Sequence, residues 1–257
     1  MGTALSVRSL RKDFGGVQAV SGVDFVVAEG EILGLIGPNG AGKTTLFNLV
    51  SGFLKPTAGS ISLFGGDVTG VPPYTLARLG VSRTFQVVRP FPRLSVLENV
   101  MVGSFLHTAK AQEAERTALE VLALLGMERL AGEPAGALTL AARKRLEIAK
   151  ALAVRPKLLL LDEVVAGLNP TEVAATIEVI RGIRKGGVTI VIVEHILKVI
   201  LGLADRVVVL DHGRKISEGT PAQVTQDPGV IAAYLGSDKG EEAAGRSPGG
   251  AGSGPDA

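Results

Sequence analysis

The sequence predicts an α/β fold with a parallel sheet at its core, and three observations predict it. The run Glu31-Ile32-Leu33-Gly34-Leu35-Ile36, apolar after its first residue, leads into Gly37-Pro38-Asn39-Gly40-Ala41-Gly42-Lys43-Thr44, which spells G-x-x-x-x-G-K-T. A second apolar run, Leu158-Leu159-Leu160-Leu161, ends in Asp162-Glu163. From Lys157 onward strand-like and helix-like stretches alternate, the pattern of a parallel sheet with crossover helices.

Taken in order, Ala4 to Leu10 alternates at period two and reads as a strand, and Val23 to Val27 does the same. Ala28-Glu29-Gly30-Glu31 turns the chain into the strand before the glycine-rich loop. A helix is expected to open at Thr44-Thr45-Leu46-Phe47. Gly59 to Gly66 reads as a short strand closed by a glycine turn, and Val81 to Gln86 as an extended segment. Helical periodicity takes over from about Ser95. Apolar residues recur three and four apart over about 111–125 and 140–154, which predicts two helices. Lys157 to Leu161 and Val188 to Val193 are short and Leu-rich or β-branched, and read as buried parallel strands. The stretch Ser237 to Ala257, rich in Gly, Ser, Ala, Pro and charge, is expected to be disordered.

Composition narrows the function. The 257 residues suffice for one large α/β domain or two small ones, and a hydrophobic content of 46% fills a core. Mean hydropathy is +0.34, yet no apolar stretch approaches the roughly 18–20 residues of a spanning helix. A net charge of +2 leaves no electrostatic footprint for nucleic acid, although the sequence pI is about 8.9. With no cysteine, disulfides and thiolate metal sites are excluded. Met1-Gly2-Thr3-Ala4 lacks the layout of a signal peptide, so the chain is expected to stay in the cytosol, against a membrane protein.

The glycine-rich loop carries the first chemistry. Between a strand and a helix, its backbone N–H groups point inward at an anion, Lys43 reaches the β- and γ-phosphates, and the Thr44 hydroxyl can ligate Mg²⁺. The chain is therefore expected to bind a nucleoside triphosphate. The acid pair completes the site. Asp162, at the carboxyl end of a buried strand, can hold Mg²⁺, and Glu163 is then placed to polarise a water for attack on the γ-phosphate.

These pieces, in this order, resemble the ATP-binding subunit of an ABC transporter over about residues 4–236. The resemblance implies an ABC-type P-loop NTPase with a RecA-like core, an N-terminal antiparallel β subdomain and a helical lobe at about 88–155. It places Phe14, in Asp13-Phe14-Gly15-Gly16, as an aromatic ring on adenine. Gln86, in Arg83-Thr84-Phe85-Gln86, matches a glutamine that contacts Mg²⁺ and the attacking water. His195, in Ile192-Val193-Glu194-His195, matches a histidine on the γ-phosphate, and Ala166-Gly167-Leu168-Asn169 the loop that crosses the dimer interface. ATP would be bound by Phe14 and by Gly37, Pro38, Asn39, Gly40, Ala41, Gly42, Lys43, Thr44 and Thr45. Catalysis would fall to Glu163, His195, Lys43 and Gln86, and the metal to Thr44, Gln86 and Asp162.

The chain departs from the family's signature Leu-Ser-Gly-Gly-Gln. Leu138-Thr139-Leu140-Ala141-Ala142 keeps a hydroxyl at Thr139 but replaces both glycines and the glutamine. Thr139 can still cap the following helix and present its positive end to a partner's phosphate, while Ala141 adds a Cβ to the approach. Val164 stands where the family often has proline, and Ile196 where it commonly has an acid.

Two stretches are similar to the ATPases of branched-chain amino-acid importers: Arg83 to Phe91 leading through Leu94 to Gly103, and a C-terminal extension over about 218–236 from Glu218-Gly219-Thr220-Pro221 to Tyr234-Leu235-Gly236. The resemblance implies an importer ATPase for such amino acids or related amides, using ATP and Mg²⁺. Its implied partners are a second homologous ATPase subunit bound head to tail, two transmembrane permease subunits and, indirectly, an extracytoplasmic solute-binding protein. It would sit peripherally on the cytoplasmic face of the inner membrane. The altered signature leaves open a weakly hydrolysing subunit of an asymmetric pair. A soluble ABC ATPase of DNA repair or translation is disfavoured by the single cassette, the lack of a coiled-coil insertion and the charge.

Overall fold

The computed structural model describes residues 2–86 and 88–234; the stretch from Ser237 lies outside them, as does the end of the C-terminal extension. Two sheets organise the chain. Strands β1 (Thr3–Phe14), β2 (Val17–Ala28), β4 (Ala58–Leu63) and β5 (Gly66–Asp67) form an antiparallel sheet in the order β2-β1-β4-β5. Strands β3 (Ile32–Ile36), β6 (Val81–Arg83), β7 (Leu158–Asp162), β8 (Thr189–Val193), β9 (Arg206–Asp211) and β10 (Arg214–Gly219) form the second, in the order β10-β9-β3-β8-β7-β6. It is parallel except for β10, which hairpins onto β9. The expected α/β architecture, with an N-terminal antiparallel sheet, is what the chain adopts.

Period-two alternation decides where the cores lie. Successive side chains of a strand point to opposite faces, so each central strand divides its apolar residues between two layers. Ile32, Leu159, Leu161, Ile190, Ile192, Val207 and Val209 face one core. Leu33, Leu35, Leu158, Leu160, Val191, Val193, Val208 and Leu210 face the other, which the antiparallel sheet and helix α1 (Lys43–Val50) complete. Burial on both faces is why these strands read as unbroken apolar runs.

Three helices, α3 (Val96–Ser104), α4 (Ala111–Leu124) and α5 (Leu140–Ala153), lie between β6 and β7 in the chain, after α2 (Pro73–Arg78). Ser95 and Glu98 form a capping box that starts α3. Val100, Ala118, Leu122 and Leu146 join these helices to the first core. The chain then closes with α6 (Pro170–Lys185), α7 (Leu197–Leu203) and α8 (Pro221–Thr225). Register brings the functional strand ends level: Leu35 and Asp162 both lie opposite Val193.

Candidate functional site

The glycine-rich loop leaves β3 and enters α1 through backbone that side chains cannot follow. A Cβ on Gly37 would fall 2.1 Å from the Leu210 carbonyl oxygen, and one on Gly42 2.5 Å from that of Ala19. Gly42, left-handed at φ 97°, is the N-cap of α1 and no side chain caps that end, which leaves the N–H groups of its first turn to an anion. Lys43 is buried, and its Nζ donates to the carbonyls of Gly37 (2.7 Å) and Pro38 (2.9 Å). Burial lowers its pKa, and Glu163 opposes that. The Gly37 backbone also hydrogen-bonds Tyr234 of the C-terminal segment, a phenol whose pKa burial pushes up.

Glu163 follows β7 in a left-handed conformation at φ 49°, which is costly for a residue with a side chain. It is held there from two sides. Its N–H donates to the Val193 carbonyl at 3.0 Å, and its own carbonyl accepts from Lys144 Nζ at 2.7 Å. One carboxylate oxygen, Oε2, then receives the Gln86 amide at 2.7 Å and lies 3.0 Å from His195 Nε2. Residues from three separated segments therefore meet on one oxygen.

That oxygen faces a cavity of about 590 Å³ whose walls include Asn39 to Thr45, Gln86, Glu163 and His195. The far wall is Val17, Gln18 and Ala19 of β2 together with His212 and Gly213 from the β9–β10 turn. Phe14 does not line it. The ring is 46% exposed, with Lys12 Nζ 5.1 Å from its centre, and Val17 across the hairpin turn takes the wall position.

A second cleft of about 630 Å³ adjoins the first and shares Thr44 and Gln86 with it. Asp162 lines this cleft and is bonded to Arg83 at 2.9 Å. Burial raises the pKa of Asp162, and Arg83 draws it back down. Arg83 was not singled out from the sequence. Its guanidinium lies among the rings of Phe47, Phe53 and Phe85 and also donates to Asn48 and Ser51.

Thr139 caps α5, its Oγ1 accepting from the Ala142 N–H at 3.3 Å. Leu140 is 49% exposed, and a Cβ on Gly167 would sit 3.2 Å from its Cδ2, so the start of α5 abuts the loop after the acid pair. Thr139 to Ala142 line neither cavity. Behind the acids lies Glu194, whose pKa burial raises to about 7 against a bond from the Val165 N–H and the charge of Lys144. The sequence flagged neither Lys144 nor Glu194, because a charged residue in a helix or strand reads as solvated unless its burial is known.

Similarity to known proteins shows the family and the fold. A family described as ABC transporter matches residues 20–166, and one described as branched-chain amino acid ATP-binding cassette transporter matches residues 214–240. The chain is 40% identical over 248 residues to the high-affinity branched-chain amino acid transport ATP-binding protein BraF of Pseudomonas aeruginosa, covering 90% of this chain and 97% of BraF. Among solved structures, the ADP conformation of an ATP-binding cassette of an ABC transporter superposes with a TM-score of 0.84 at 30% identity, over 92% of this chain and 100% of that one. A dimeric cassette in a post-hydrolysis state with ADP and Pi gives 0.76 at 25% identity, over 84% of this chain and 98% of that one.

Proposed function

The chain belongs to the ABC transporter family, and from that premise we propose that it is the ATP-binding and ATP-hydrolysing subunit of an importer for branched-chain or related hydrophobic amino acids. The observation that carries the catalytic part is the convergence of Gln86 and His195 on Glu163 Oε2 beside the phosphate loop. The cargo rests on the match of residues 214–240 and on the likeness to BraF.

In this reading the triphosphate lies along residues 37–45, and Lys43 gives up its two carbonyl partners for the β- and γ-phosphates. Glu163 accepts a proton from the attacking water as its oxygen bonds to the γ-phosphorus and the bond to ADP breaks. Gln86 and His195 fix the carboxylate for that transfer. Thr44, Gln86 and Asp162 line one cleft and offer a hydroxyl, an amide oxygen and a carboxylate, a hard oxygen set that fits Mg²⁺. With Gln86 Nε2 engaged by Glu163, its Oε1 is the atom that would be left to hold the cation. Bound Mg²⁺ neutralises charge on the β- and γ-phosphates.

The helix capped by Thr139 acts on the nucleotide of a second ATPase subunit, bound head to tail. Permease subunits dock near Gln86 and the α3–α5 helices, on the cytoplasmic face of the membrane. Among the described residues no helix is long and apolar enough to cross a membrane. The test is co-expression with permease subunits and the second ATPase of a branched-chain amino-acid importer, reconstitution in liposomes with a solute-binding protein, and measurement of ATP-driven leucine uptake. ATP hydrolysis by the assembled complex with no stimulation by any branched-chain amino acid would refute the cargo and leave the ATPase standing.

A further inference from the structure

Lys144 has no part in the reaction as described, yet it is placed where it bears on it. Its ammonium is buried, with the residue only 8% exposed, and reaches from α5 to the Glu163 carbonyl at 2.7 Å. Burial lowers its pKa, and the charges of three carboxylates around it, Glu194, Glu163 and Asp162, oppose that. A cation that only neutralised these acids would pair with a carboxylate oxygen. Here it spends its hydrogen bond on a backbone carbonyl, and that carbonyl belongs to the residue held at φ 49°.

Three bonds therefore fix the strained residue: a local one from the Ala166 N–H to the Glu163 carbonyl at 3.3 Å, and two that come from different parts of the fold. The Val193 carbonyl belongs to the core sheet. The Lys144 ammonium belongs to the helix whose N-terminus is Thr139. The same helix touches the following loop a second time, through Leu140 beside Gly167. A displacement of α5 along or about its axis must then move Glu163 or break the bond.

We propose that Lys144 is a positioning residue that holds Glu163 in its left-handed conformation and passes the position of α5 to that carboxylate. The proposal rests on the reading above, in which Thr139 binds the partner's nucleotide and Glu163 activates water. Its consequence is that one subunit's engagement of its partner's phosphate sets the geometry of its own catalytic carboxylate. The two sites of the dimer are thereby coupled through the interior of each chain.

The test uses the assembled complex. Lys144→Met keeps the buried stem and removes the ammonium. A misplacement of about 1 Å costs roughly 10²-fold in rate, so kcat should fall by that order, with ATP affinity in the Glu163→Gln background within about twofold and the Hill coefficient for ATP moving toward one. Lys144→Met/Glu194→Gln removes a positive and a negative charge together, and it stands in if the single variant does not fold. The proposal expects the double variant to stay slow. Recovery of kcat in the double variant would show that Lys144 only balances charge, and a parental kcat in Lys144→Met would show that it does nothing to Glu163. Glu163→Gln alone hydrolysing at the parental rate would instead overturn the assignment of the carboxylate, whatever Lys144 does.

Discussion

The Arg83 guanidinium donates to the Asp162 carboxylate at 2.9 Å, with both side chains buried. Rings of Phe47 and Phe53 lie 5.4 Å from the guanidinium carbon and that of Phe85 5.1 Å. A planar, weakly hydrated cation suits such a cage, and a lysine does not. Asp162 is further fixed by its own N–H, which donates to Thr84 Oγ1 at 3.0 Å. The metal-binding carboxylate of the proposed mechanism is thus aimed by an ion pair set in aromatic packing.

Removing Arg83 leaves a buried carboxylate without its partner. Arg83→Ala should lower the unfolding free energy by about 3–5 kcal/mol, read from urea denaturation. Arg83→Lys should lose less stability yet weaken Mg²⁺ binding, raising the Mg²⁺ concentration needed for half-maximal ATPase. A loss below about 1 kcal/mol in the alanine variant would mean that neither the ion pair nor the guanidinium's place among the rings stabilises this corner.

Glu163→Gln retains the bonds available to Gln86 and His195 but removes the base. Mg-ATP binding should persist while hydrolysis falls by two or more orders of magnitude, with a dimer accumulating on size-exclusion chromatography in ATP. Parental turnover would remove Glu163 from its catalytic role.

Glu194 gives a pH dependence of definite sign. Its native pKa of about 7 lies above the ordinary 4.5, because burial disfavours the carboxylate. The folded state therefore binds the proton more tightly than the unfolded one. The stabilisation is full below about pH 4.5 and is lost as pH rises to about 7, a difference worth about 3 kcal/mol. Glu194→Gln should flatten stability across that window. An unchanged pH–stability curve would show that other groups dominate it.

The altered signature makes a separable prediction. Thr139→Arg should fill the partner's phosphate position, leaving the chain's own nucleotide affinity intact while complex turnover falls at least tenfold. Ala141→Gly should change turnover only modestly. A large gain from Ala141→Gly with no effect of Thr139→Arg would favour a weakly hydrolysing subunit in an asymmetric pair.

Sequence legibility followed locality. The phosphate loop, the acid pair and their strands could be read because each is a contiguous pattern with its own mechanism, and the helix expected over 140–154 forms at Leu140–Ala153. Gln86 and His195 came from resemblance, and only the fold puts them on one oxygen. The Arg83 cage was hidden because its rings are scattered over three segments. Lys144 looked like a solvated helix charge until packing buried it. Phe14, a stacking ring by resemblance, is exposed and is not among the residues that line the cavity, where Val17 stands.

The β9–β10 turn has a consequence for anyone modifying this protein. His212 is 93% exposed at its tip, which marks the turn as an obvious place for a label or an inserted peptide. Its neighbour forbids that choice. The Gly213 N–H donates to the Ala41 carbonyl at 3.0 Å, and the Gly213 carbonyl accepts from Ser21 N–H at 2.8 Å. A single residue thus stitches the antiparallel sheet, the β9–β10 turn and the phosphate loop together, and a Cβ there would come 2.8 Å from the Ala19 carbonyl oxygen. A tag at this tip would tug the nucleotide seat out of shape, and a probe on the His212 side chain would stand in the wall of the nucleotide cavity itself.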